Sequence, residues 1–175
     1  MTFPVDVVCR GLLCVVIGVS GCTKLFTKGS IRSLSHEFSE LIPWVGLRMP
    51  LAIGLVTSEL FVLVLLLGDM TYAAGLLLSA ALMAVLSAGV LVIVVHHRSV
   101  RCACFGSLGR QLGPEHLARN LILMGIGILG FASFSGASLV RTIGYGLVGA
   151  ALGVPVVLMD ELIDVLSPTT VRHNR

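Results

Sequence analysis

The chain has 175 residues and a mean hydropathy of +1.01, with 56% hydrophobic and only 12% charged residues. So little polar side chain cannot cover so much apolar side chain in water, which excludes a soluble globular domain and indicates an integral membrane protein. The net charge of +3 gives no indication of nucleic-acid binding, and the length provides four or five spans of about 20 residues but no second domain.

Five apolar segments predict membrane-spanning helices. The first has Asp6 and Arg10 in its opening turns and continues to Lys24 without a convincing cleavage site, so a retained helix is favoured over a signal peptide. The second contains one charge, Glu59, near its middle, and the fifth contains Pro155, which predicts a kink. We predict one membrane domain, 1–175, with spans at about 5–22, 49–68, 70–95, 120–140 and 142–159.

The expected fold is all-α, an antiparallel bundle of four to five transmembrane helices, because lipid leaves an open chain no other way to pair its backbone groups. The connector from Lys24 to Arg48 has apolar residues at helical spacing, which predicts one interfacial amphipathic helix. Gly149 and Gly153 on the last span favour close helix packing, within the chain or between chains. The apolar positions of the connector are Ile31, Leu34, Phe38 and Leu41, followed by Trp44.

A polar loop, 96–119, separates the third and fourth spans and contains Arg101-Cys102-Ala103-Cys104-Phe105-Gly106. Thiolates rather than thiols attack disulfides, and the surrounding arginines favour the thiolate form of Cys102 and Cys104. A disulfide between cysteines one residue apart closes a small strained ring, and strain makes such a bond more oxidising. These cysteines are therefore predicted to be a redox pair, and the protein is a candidate thiol–disulfide oxidoreductase. The arginines are Arg98, Arg101 and Arg110.

Two other interpretations of the loop cysteines stay open. In the first, the two thiols pack at the membrane interface or form an inert bridge. In the second, they bind zinc or Cu(I) together with histidines of the same loop, since thiolate and imidazole suit both metals. The spacing is not one of the usual zinc patterns, which makes the metal site a minority hypothesis. Its ligand set is Cys102, Cys104, His96, His97 and His116.

Three further cysteines lie in the first span. Cys9 and Cys14 are interpreted as small buried hydrophobes. Cys22 lies near the C-terminal end of the first span. Two spans separate that end from the polar loop, so both lie on the same face of the membrane. It is a candidate resolving thiol for the Cys102–Cys104 pair.

Glu59 is an ionisable group inside a predicted span, and such a group is by default paired or functional. Lys24, at the edge of the first span, and Arg48, at the start of the second, are its candidate partners. Two roles are open for Glu59 and Lys24: a structural ion pair, or proton transfer.

The order of these features resembles the methylamine utilisation protein MauE family, which sits beside the DoxX-like membrane proteins. The first helix ends Gly21-Cys22-Thr23-Lys24, an amphipathic connector follows, and the second helix carries Glu59. Cys102-Ala103-Cys104-Phe105-Gly106 then precedes Arg119-Asn120, and it is the most specific part of the likeness. The likeness covers about residues 5 to 140.

The resemblance implies a redox-associated protein of the bacterial plasma membrane with four helices. It implies a link to maturation of the disulfide-rich small subunit of methylamine dehydrogenase, alongside a thioredoxin-like partner. The layout also looks like that of vitamin K epoxide reductase and DsbB-type oxidases, whose cysteine pair lies beside a quinone, so a quinone is the cofactor that this likeness implies. The chain departs from those oxidases in having CxC instead of CxxC, and from the MauE pattern in its fifth predicted span.

The side of the membrane that holds the CxC loop stays open. Ten of the 12 Lys and Arg residues fall on that side, which the positive-inside rule places in the cytoplasm. Oxidation of exported proteins requires the opposite side, where disulfides persist. A second class of function stays open as well, namely a non-catalytic membrane subunit or assembly factor of a larger respiratory or biosynthetic complex.

Overall fold

The computed structural model of the chain describes residues 4–26, 45–95, 101–102, 110–111, 114–134 and 139–166. These residues form helices and one small pair of antiparallel strands, which we call the hairpin. The helices are α1 (Val5–Phe26), α2 (Val45–Leu67), α3 (Tyr72–Val95), α4 (Pro114–Ala132) and α5 (Leu139–Leu166). The hairpin strands are β1 (Arg101–Cys102) and β2 (Arg110–Gln111). The described part of the chain confirms the predicted helical bundle.

Within the described residues, three helices are long and apolar enough to cross a membrane: Val5–Phe26, Gly46–Leu67 and Tyr72–Val95. The fourth and fifth helices contain shorter apolar stretches, His116–Ala132 and Gly144–Leu158. The outer faces of the helices carry many exposed large apolar side chains, as expected for a protein whose solvent is lipid. The interfacial helix predicted within the first connector falls largely in 27–44, outside the described residues.

The helix ends differ from the predicted spans for identifiable reasons. α1 continues past Cys22 to Phe26, and Lys24 in its last turn is buried inside the bundle, where a carboxylate pairs with it. α4 begins at Pro114, because the fixed φ angle and missing N–H of proline suit a first helical turn. Pro155 lies inside α5, which continues through it.

α1 is the central helix and packs against α2, α4 and α5. α2 runs antiparallel to α1 and α5 runs parallel to it, while α4 runs antiparallel to α3. The C-terminal ends of α1 and α3 therefore lie at the same end of the bundle as the N-terminal ends of α2 and α4, and we call this the hairpin end. The contacts that set these directions are Gly18–Leu63 and Gly21–Leu60, Gly149–Val8 and Gly153–Val15, and Gly127–Ala80 and Gly130–Leu76.

The backbones of α1 and α5 touch each other. A Cβ atom added at Gly149 would collide with the carbonyl oxygen of Val8, and one added at Gly11 would collide with that of Gly146. Gly153 packs less closely, one turn further along, where an added Cβ would lie 3.0 Å from Cβ of Val15 and 3.1 Å from the carbonyl oxygen of Leu12. The two glycines of α5 that favour close packing therefore pack within the chain.

At the end of the bundle opposite the hairpin, Arg10 of α1 holds the turn between α2 and α3. Its Nε and Nη2 donate hydrogen bonds to the carbonyl oxygens of Leu66, at 2.5 Å, and Leu67, at 2.7 Å. These are among the last carbonyls of α2, which have no partner within the helix. Nη1 donates to Asp69 at 2.9 Å, and the guanidinium lies 4.8 Å from the ring centroid of Tyr72. Arg10 thus caps α2 from a neighbouring helix.

We expect Arg10→Met to destabilise the bundle far more than Asp69→Asn does. The first change removes the donors to two helix-end carbonyls, and each buried acceptor left unsatisfied costs about 1–3 kcal/mol. The second removes only an ion pair in which the Asp69 side chain is 60% exposed, and such pairs contribute at most about 1 kcal/mol. The measurement is the thermal unfolding midpoint in detergent, and equal midpoints for the two variants would contradict the capping role.

Candidate functional site

The hairpin fixes the backbone of one of the two CxC cysteines. Its strands are antiparallel, with Arg101 opposite Gln111 and Cys102 opposite Arg110. The Cα atoms of directly opposed residues in such a pair lie about 4.5–5.5 Å apart. Cys104 falls between the two strands in the sequence and lies outside the described residues. The backbone positions of Cys102 and of one of the arginines expected to favour its thiolate are therefore held opposite each other.

Cys22 lies at the hairpin end of the bundle, near the end of α1. It is exposed and carries a free thiol. Cys9 is buried and Cys14 is partly buried, and both pack in or against the apolar core. The role of Cys22 as a resolving thiol stays a prediction.

Glu59 and Lys24 form a buried ion pair. Nζ of Lys24 lies 2.5 Å from Oε1 of Glu59, and Oγ of Ser20 donates to the same oxygen from 3.3 Å. The side chains of Lys24 and Glu59 are 2% and 3% exposed. Of the two candidate partners of Glu59, Lys24 and Arg48, Lys24 forms the ion pair. Because separating buried charges is costly, the pair ties α1 to α2 at the hairpin end.

The ion pair belongs to a polar layer that crosses four helices. The apolar core below it has residues from each of α1 to α4, and those nearest the layer are Ile17, Val62, Met83 and Leu123. Three or four residues further toward the hairpin end, which is one helical turn, each helix has a buried polar residue. These residues are Ser20, Glu59, Ser87 and Arg119. We call them, together with Lys24, the polar layer.

The packing of α3 against α4 supports this alignment. Gly127 lies against Leu76 and Ala80 of α3, and Gly130 lies against Leu76. Continuing the antiparallel register from Gly127 by two turns toward the hairpin end places Arg119 at the depth of Ser87. Both residues are more than nine-tenths buried.

Two oxygen atoms of the polar layer are buried without a hydrogen-bond partner among the described residues. They are Oε2 of Glu59 and Oγ of Ser87. Nε2 of His116, one turn from Arg119 toward the hairpin, is also buried and also has no hydrogen-bond partner among the described residues. Buried polar atoms are nearly always hydrogen-bonded, and leaving one unpaired costs about 1–3 kcal/mol. The layer therefore has hydrogen-bonding capacity that the described side chains do not use.

An apolar core separates the polar layer from a second polar cluster at the other end of α1. There Asp6 is fully buried and accepts a hydrogen bond from Oη of Tyr72 at 3.1 Å, beside Arg10. About 15 Å of helix, at 1.5 Å per residue, lies between Arg10 and Ser20. The buried side chains of α1 in this interval include Leu13, Val16 and Ile17, each at most 1% exposed.

The sequence pointed to the ion pair of this layer but not to its serines. Serine in a membrane span carries little signal, because small polar residues also serve ordinary helix packing. Arg119 stands out in the sequence only as part of the family resemblance. A stronger signal was present, since Arg119 stands four residues before Leu123 on the face that continues to Gly127 and Gly130.

Of the five residues in the metal hypothesis, the structure describes only the positions of Cys102 and His116. Within the described ranges, no group of three or more His, Cys, Asp or Glu side chains is placed to hold a metal ion. The ligand set as a whole thus stays a prediction that includes residues outside those ranges.

Comparison with known proteins gives one match. A protein-family model described as methylamine utilisation protein MauE matches residues 3–133, a range that contains α1 to α4 and the hairpin. No curated protein and no solved structure matches the chain. α5 lies beyond the matched range.

Proposed function

Since this chain belongs to the methylamine utilisation protein MauE family, we propose that it is a multi-pass membrane protein that exchanges disulfides with a partner protein through Cys102 and Cys104. Family membership implies a membrane protein associated with methylamine utilisation. The partner that this association suggests is the disulfide-rich small subunit of methylamine dehydrogenase, together with a thioredoxin-like protein.

The hairpin is the single observation that supports this role most directly. It places Cys102 in a backbone ladder, opposite Arg110, between the ends of two helices. A cysteine in a ladder has a defined backbone position, which suits exchange with a partner. The arginines that flank it in the sequence favour the thiolate, which is the reactive form.

The exchange that we propose balances in electrons. A thiolate of the partner attacks the Cys102–Cys104 disulfide, which forms a mixed disulfide and releases one hairpin thiolate. A second thiolate of the partner then attacks the mixed disulfide, so the partner leaves with a new disulfide and both hairpin cysteines are reduced. Two electrons have moved to the hairpin. Its reoxidation passes them to an acceptor, either the disulfide of a thioredoxin-like protein or a quinone.

We expect a membrane-impermeant maleimide to label Cys102 and Cys104 in intact cells only after mild external reduction. That result requires a disulfide on the outer side of the membrane, where it can oxidise exported proteins. Cys102→Ser and Cys104→Ser should each abolish oxidation of a dithiol peptide by the purified protein, because one remaining thiol cannot regenerate the disulfide. Cys9→Ala and Cys14→Ala, inside α1, are the matched controls and should leave the rate unchanged.

Labelling only after cell lysis, without reduction, would contradict this function. It would place reduced thiols in the cytoplasm and favour a non-catalytic subunit or assembly factor. Cys22→Ala belongs in the same series, since an unchanged rate of oxidation would end its assignment as the resolving thiol.

A further inference from the structure

We propose that a groove between α1, the end of α2 and α5 holds one ester-linked acyl chain of a membrane phospholipid, whose ester carbonyl accepts hydrogen bonds from Arg10. The groove lies toward the end of the bundle opposite the hairpin, so this site is independent of the thiol chemistry proposed above. One of its walls belongs to α5, which lies beyond the range that the family model matches.

The groove is apolar and elongated. Its volume is about 230 Å³, which exceeds the volume of about 150 Å³ of an apolar cavity that binds benzene. Val7, Gly11 and Val15 line it along one face of α1, at intervals of four residues, so it extends over about 12 Å of helix. Gly146 and Ala150, also four residues apart, form the facing wall on α5. A row of small and apolar residues of this length fits a hydrocarbon chain better than a compact molecule.

Arg10 is the one charged residue among the described residues that line the groove. It is 8% exposed, and its Nε, Nη1 and Nη2 each donate one hydrogen bond, to Leu66, Asp69 and Leu67. A guanidinium carries two N–H bonds on each Nη, so one N–H of Nη1 and one of Nη2 have no acceptor among the described residues. Buried donors are nearly always hydrogen-bonded. Arg10 therefore has donors available for an oxygen atom of a bound molecule.

The position of Arg10 in the membrane identifies that oxygen atom. Nη1 lies 2.9 Å from Asp69, whose side chain is 60% exposed and, being charged, lies outside the hydrocarbon. The guanidinium is therefore near the level of the lipid ester groups, and the groove extends from it along α1 to Val15. Asp69 already supplies a negative charge beside Nη1, so a neutral ester carbonyl fits there better than a phosphate.

The test is the binding of added lipids to the delipidated protein in detergent, measured by native mass spectrometry. We expect dioleoyl phosphatidylcholine to bind at least about tenfold more tightly than its ether-linked analogue, because hydrogen bonds to a charged group are strong and the analogue has no ester carbonyl. Phosphatidylglycerol with the same chains should bind within about twofold of phosphatidylcholine, because the headgroup charge plays no part in the proposed contact.

Gly146→Leu tests whether the groove is the binding site. A Cβ at Gly146 meets no atom within 4 Å, so a larger side chain occupies open space without displacing the backbone of α1. Gly144→Leu is the matched control, because a Cβ at Gly144 is equally free and Gly144 does not line the groove. We expect Gly146→Leu to weaken binding of phosphatidylcholine at least about tenfold and Gly144→Leu to leave it unchanged.

Three results would overturn the proposal. Equal affinity for the ester and ether lipids would remove the role of Arg10, and this comparison uses the unmodified protein, so it holds even if Gly146→Leu does not fold. Equal affinity of Gly146→Leu and Gly144→Leu for phosphatidylcholine would place the lipid elsewhere. Displacement of phosphatidylcholine by an equimolar prenylated quinone would assign the groove to that molecule instead of a phospholipid.

Discussion

Replacing Lys24 by methionine is expected to destabilise the protein more than replacing Lys24 and Glu59 together. The single change leaves a carboxylate that is 3% exposed without the ammonium group that lies 2.5 Å away. Removing one partner of a buried pair costs about 3–5 kcal/mol, whereas replacing both partners by apolar groups of similar volume is often neutral. The measurement is the free energy of unfolding in mixed micelles for Lys24→Met, Glu59→Leu and the double variant.

Ser58→Ala is the matched control for this cycle. Ser58 is the neighbour of Glu59 on α2, and its hydroxyl donates to the carbonyl of Leu55 in its own helix, so its loss should change stability little. If the double variant costs the sum of the two single changes, Lys24 and Glu59 are not coupled and α1 is held to α2 by other contacts.

Gly149→Ala is expected to destabilise the bundle, and Gly144→Ala on the same helix is not. A Cβ at residue 149 meets the backbone of Val8, whereas one at residue 144 has no atom within 4 Å. Both changes gain the same helix propensity, about 1 kcal/mol, so the difference between them measures crowding alone. Overpacking of this kind costs typically about 1–3 kcal/mol.

The experiment compares unfolding midpoints and molecular mass in detergent for the two alanine variants. Equal midpoints would show that α1 and α5 are not in backbone contact. A change in mass for Gly149→Ala with an unchanged midpoint would show that Gly149 packs against another chain rather than within its own.

The helices of the bundle were predictable because charge interrupts hydrophobicity at their ends. No charged residue falls within the predicted span 70–95. α3 begins two residues after the start of that span and ends where it ends. The depth of Lys24 was harder to predict. A lysine near the end of a span usually extends to the headgroups, but here Glu59 on another helix holds it inside.

The polar layer was not predictable from one sequence. That Ser87 and Arg119 share a depth depends on the register between α3 and α4, which the close approach of Gly127 to α3 sets. Periodicity shows which face of a helix is apolar but not which two faces meet. The CxC hairpin lies between these cases: its residues were evident as a motif, and its strand pairing was not.

The charges of α1 have a consequence for the biogenesis of the protein. α1 carries Asp6, Arg10 and Lys24, none more than 8% exposed. Glu59 of α2 pairs with Lys24, the end of α2 and Asp69 bind Arg10, and Tyr72 of α3 donates a hydrogen bond to Asp6. A charged residue at the centre of a bilayer costs about 2.5–3.5 kcal/mol to insert, and less toward the ends of the span, where Asp6 and Lys24 lie. α1 is therefore less favourable in lipid by itself than beside α2, and the two are expected to integrate together rather than in turn.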